Sequence, residues 1–119
     1  MPMTDTADIT RLSHLLDVDH APIPIDLPPY DRLLVAECIT EATLRTHNRD
    51  ALPWCEKLWQ LSWRIVNGAT DLTLAEAFSV LSALQMVYTP GATEGLAWYF
   101  AAVVIERQPE FRQAVEASW

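Results

Sequence analysis

The stretch "WCEKLWQLSW", residues 54–63, holds three of the chain's five tryptophans. It follows Pro53, a good first-turn residue, and runs on to "NG", residues 67 and 68, which suits a left-handed helix stop. At about 100° per residue, Trp54, Leu58, Leu61 and Ile65 share one sector of a helical wheel. Cys55, Trp59, Trp63 and Val66 fill the sector beside it. Glu56, Lys57, Gln60, Arg64 and Asn67 take the remaining side. The apolar arc is wider than the stripe of an ordinary surface helix. One sector can face a core. The other must meet a second neighbour, either the chain's own N-terminal strap and end helices or another molecule.

Working outward, the same periodicity predicts more helices. "TDLTLAEAF" offers Thr70 or Asp71 as the cap of a helix over about 71–88. "YTPGAT" is a turn, and a further helix spans about 92–107. Pro109 opens a last short helix, "PEFRQAVEASW". Upstream, Pro29 starts a helix over about 30–47. "TDTADITRLSHLLDVD" reads as a short helix over about 5–17, with Ile9, Leu12, Leu15 and Leu16 in register. Between them lies "HAPIPIDLPPYD", residues 20–31. Its four prolines forbid a helix and favour an extended strap with Ile23, Ile25 and Leu27 on one side. The expected fold is all-α: a single bundle of four main helices, a short helix at each end, and the Pro-rich strap at about 20–29. We read residues 1–119 as one domain, with 1–29 as N-terminal helix and strap and 30–119 as the bundle. Three glycines in 119 residues, and frequent Ala, Leu and Glu, agree with helices over strands.

The net charge is −8. That balance opposes direct binding to a nucleic-acid backbone or an anionic membrane, both of which need Lys and Arg. It suits a basic partner protein. Residues 1–31 carry net −5, residues 32–64 net +1 and residues 65–119 net −4, so the middle is positioned to pair with its flanks. The longest apolar run, "LAWYFAAVVI" at 96–105, is too short for the ~20 residues of a spanning helix. "MPMTDTADITR" lacks a secretory core. Two cysteines, Cys38 and Cys55, are too few for a disulfide framework, and the expected setting is cytoplasmic. Scarce Lys with abundant Ala and Arg hints at a bacterial or phage source.

Chemical motifs are sparse. Glu37 and Glu41 stand one turn apart, but no Glu-x-x-His pair accompanies them, and Arg45 makes an i,i+4 partner for Glu41. His14, His20 and His47 are not at zinc-ligand spacing from either cysteine. "DVDH", residues 17–20, reads as a helix end rather than a metal site. Cys55 sits near a helix N-terminus, where the dipole favours a thiolate, but its apolar neighbours indicate burial. We therefore expect no enzyme activity, no cofactor and no metal site.

The apolar surplus carries the functional reading. Leu74–Tyr88 is nearly apolar, and residues 96–105 read as apolar on every side, hence buried on every side. With the half-apolar third helix, this exceeds what one small core readily covers. The expectation is a non-enzymatic protein-binding module: an adaptor, assembly subunit or inhibitor. Its partner-binding residues would be Trp59, Trp63, Val66, Met86 and Trp98, with Asp17 and Asp19 from the acidic flank. One version has the acids imitate a phosphate backbone and inhibit a nucleic-acid-handling protein, as phage anti-defence proteins do. The alternatives are a self-assembling homo-oligomer and a small-molecule binder or enzyme with an aromatic pocket. The N-terminal arm either packs on its own bundle or docks on a neighbouring subunit.

Overall fold

Prolines and caps divide the described residues into six α-helices. The structure, a computed structural model, describes residues 6–46, 52–87, 91 and 93–117, with side chains at all of these except 6–9, 52–55 and 117. Helix α1 is Thr6–Val18, α2 is Pro29–Arg45 and α3 is Leu52–Val66. Helix α4 is Leu74–Met86 and α5 is Glu94–Arg107. A 3-10 turn at Pro109–Phe111 leads into α6, Arg112–Ala117. The class is all-α, as the periodicity predicts. His47, one of the three histidines considered as ligands, lies outside the described residues.

The strap is extended, and its alternation holds: Ile23, Ile25 and Leu27 are buried while Pro22, Pro24 and Asp26 face out. It also does something the sequence reading did not include. Ile23–Pro24 (β1) pairs antiparallel with Asp71–Leu72 (β2), and the Ile25 amide donates to the Thr70 carbonyl at 2.9 Å. This corrects the start of α4. Thr70 and Asp71 are not its cap, because that segment is held extended against the strap. Thr73 is the cap: its hydroxyl accepts from the Glu76 amide, and the Glu76 carboxylate accepts from the Thr73 amide. The reciprocal pair satisfies two amides that the first turn leaves without helical partners.

Helix α4 takes the central position. Leu74, Ala77, Val80, Leu81, Ala83 and Leu84 are buried, and Phe78 packs on Phe111 with ring centroids 5.4 Å apart. Helices α2 and α5 are its main neighbours, and α3 lies chiefly along α2. Helix α5 departs from the expectation of burial on every side. Leu96, Ala97, Phe100, Ala101 and Val104 face the core, but Trp98 is 55% exposed and Ala102 is also open. Among the described residues, α4 has the most helical neighbours, touching α1, α2, α3 and α5.

Polar clamps fix the remaining elements. Arg32 donates to the Leu27 carbonyl at 3.0 Å, the Ile65 carbonyl at 3.0 Å and the Ala69 carbonyl at 2.7 Å. It thereby closes the C-terminal end of α3, where carbonyls lack helical partners and the helix dipole favours a cation. Gly68 ends the helix with φ +94, a left-handed conformation natural to glycine. Among the described residues, no helix is long and apolar enough to cross a membrane.

Candidate functional site

The wheel of α3 leaves one question open, namely which of its two apolar sectors meets the core. The structure answers it. Leu58, Leu61 and Ile65 are buried, whereas Trp59 is 53% and Trp63 is 67% exposed. Val66 is also exposed. These three stand at i, i+4 and i+7, so they form a continuous ridge along the outer side of the helix. The alternative in which the strap covers the rings does not hold, since the strap turns its apolar side chains toward the core.

The charged side of α3 faces α4. Lys57, Gln60 and Arg64 line a cleft of about 340 Å³ with Ala75, Glu76 and Ser79, and Arg64 is ion-paired to Glu76. The open apolar ridge and the charged cleft thus occupy different flanks of one helix.

The other nominated residues are dispersed. Trp98 borders a separate groove of about 480 Å³ with Ala102, Ile105, Pro109, Arg112 and Val115. Trp98 lies on α5 in that groove, whereas α3 packs chiefly along α2. Met86 is exposed at the end of α4, and its carbonyl accepts from Arg45 at 2.9 Å. Asp17 is exposed.

Asp19 is placed quite differently. Its carboxylate accepts from Arg107 at 3.2 Å and from Gln108 at 3.2 Å, and its side chain is only 12% exposed. Arg107 also donates to the Pro22 carbonyl at 2.8 Å, while the Asp26 amide donates to the Tyr99 hydroxyl at 3.0 Å. Asp19 therefore anchors the strap to its own bundle. Together with the buried strap residues, these contacts match the version in which the N-terminal arm packs on its own chain.

The charge pairing is also specific. Arg11 meets Glu110 at 3.0 Å, so among the described residues both inter-segment ion pairs of α1 and the strap run to the C-terminal segment rather than to the basic middle. Glu41 pairs with Arg45 at 3.0 Å, as their spacing predicts. Cys38 is free and buried, and burial raises its thiol pKa, with the Glu37 charge adding to the effect. The Cys55 side chain lies outside those described. His14 and His20 are exposed. Among the described residues, no three His, Cys, Asp or Glu side chains group as metal ligands would.

The sequence reading missed Arg32 and Arg107, which hold the ends of α3 and the strap. The only signal was their being two of the eight basic residues in an acidic chain. No known protein family, curated protein or solved structure matches this chain.

Proposed function

We propose that this chain is a non-enzymatic protein-binding module that docks its partner on the α3 ridge. One observation carries the reading: Trp59 and Trp63 stand more than half exposed on an ordered helix whose opposite side already fills the core. Trp is enriched among interface anchors because one rigid side chain buries a large apolar area at low entropic cost.

Apolar docking has more support than imitation of a phosphate backbone. The acids of the first and last segments do adjoin, but Arg11, Arg107 and Arg112 stand among them, each paired to one acid. A face so interleaved presents little uniform negative field. The free, buried Cys38 accords with a reducing, cytoplasmic setting.

The test is affinity capture from the source organism with the wild type and with Trp59→Ala/Trp63→Ala. Loss of the captured protein, with the helical circular dichroism and a cooperative melt retained, is the expected result. Retained capture would remove the ridge from the interface, and a collapsed fold would return the rings to a structural role.

A further inference from the structure

The ridge is one half of a wider face. Arg32, on the flank of α2 that also carries Ala36 and Thr43, reaches the C-terminal carbonyls of α3, so the two helices run antiparallel along that flank. Arg45, on the opposite flank of α2, reaches the end of α4. On the wheel of α2, Leu33 and Thr40 lie just outside the α3-facing flank, with Tyr30 and Leu44 close by. On the wheel of α3, Lys57, Gln60 and Arg64 turn to α4. Trp59 and Val66 therefore border α2. Tyr30, Leu33 and Leu44 of α2 are all exposed, so with Trp59, Trp63 and Val66 they make one apolar face across two helices.

Two properties of this face select its occupant. The first is size: six large side chains at their observed exposures leave on the order of 700 Å² open, at the ~200 Å² such a side chain presents. A standard interface takes about 800 Å² per partner. The second is charge. Glu37 sits at the middle of the α2 part of the face and Glu56 beside the ridge, both exposed, and among the described residues neither has an ion-pair partner. Among the described residues, Arg45 is engaged with Glu41 and the Met86 carbonyl and Arg64 with Glu76, while Lys57 lines the cleft toward α4. A second copy of this chain would bring its own Glu37 and another net charge of −8 against the first.

We propose that the α2–α3 face takes an amphipathic helix of another protein that carries Lys or Arg beside its apolar stripe. The assignment rests on the protein-binding function above and specifies its partner. An apolar stripe fills the groove between two antiparallel helices as a third helix does, and the basic residues meet Glu37 and Glu56.

The test uses a synthetic amphipathic peptide of about 18 residues made of Leu and Lys, and a Leu/Glu twin with the same apolar stripe. Calorimetry with the full chain should show saturable one-to-one binding of the Leu/Lys peptide and at least about tenfold weaker binding of the twin. Leu33→Ala/Leu44→Ala should weaken the Leu/Lys peptide by about tenfold or more, Glu37→Gln by several-fold, and Asp26→Asn, outside the face, not at all. Equal binding of the twin, or equal weakening by Asp26→Asn and Glu37→Gln, overturns the charge rule. A dimer seen by light scattering and dissolved by Trp63→Ala assigns the face to a second copy instead. If Leu33→Ala/Leu44→Ala has no effect while Trp59→Ala/Trp63→Ala abolishes binding, the two-helix face fails and the α3 ridge stands. If neither pair of substitutions changes peptide binding or capture, both readings fall.

Discussion

Trp59 and Phe100 are both large aromatics on helices, yet their substitutions should differ in cost. Trp59 and Trp63 are half or less covered, so each change to Ala should cost about 1–2 kcal/mol in urea titration. Phe100 is fully buried, and Phe100→Ala should cost about 3–5 kcal/mol through lost transfer energy and a cavity. Cys38 adds a pH dependence. Its folded pKa lies above the unfolded value, so the protonated thiol is favoured by folding. That contribution is complete below the ordinary thiol range near 8.5 and is lost as pH rises through the folded pKa. Alkaline unfolding curves of Cys38→Ala should therefore be flatter above about pH 8.5 than those of the wild type. At this scale the sequence nominated the Trp59, Trp63 and Val66 sector as the outer one but left open whether the strap covers it. Two adjacent sectors of similar hydrophobicity differ only in where α2 and α4 stand. Asp19 was misjudged for a related reason, since its Arg107 partner is 88 residues away.

Among the elements, α4 was the least legible at its start, expected near residue 71 where the helix begins at Leu74. "TLAE", residues 73–76, carries the Thr-x-x-Glu spacing of a capping box, but Thr70 and Asp71 offered competing caps. The strap pairing decides among them. Thr73→Ala should lower stability by about 1 kcal/mol, measurable by chemical denaturation, whereas Asp71→Ala should cost much less. Arg32→Met should be more damaging, about 1–3 kcal/mol, because it strands carbonyls at the end of α3 and in the Leu27 turn. Its Tm loss should exceed that of Arg45→Met, whose partners Glu41 and Met86 are exposed. The full apolar run of α5 was misread as all-round burial because hydropathy alone cannot separate a core position from an exposed Trp98.

At the scale of the whole molecule, charge and topology dominate. A net −8 on a small domain opposes compaction by self-repulsion, while its exposed ion pairs contribute little each. Added NaCl should therefore raise Tm by a few degrees up to roughly 0.5 M, as the Debye length falls below the spacing of the charges. A falling Tm would show that the arginine pairs outweigh the repulsion. The all-α class was legible from the helical spacing of apolar residues. The order of helices in space was not, because it is set by contacts such as Asp26 to Tyr99, 73 residues apart. Those same contacts govern how the chain matures during synthesis. Ile23, Ile25 and Leu27 leave the ribosome some 80 residues ahead of the Arg107 and Gln108 side chains that fasten their segment. At about 5–20 residues per second, this greasy stretch waits roughly 4–16 s for those last contacts. Its four prolines reduce the number of amides it can offer to a neighbouring chain in that interval.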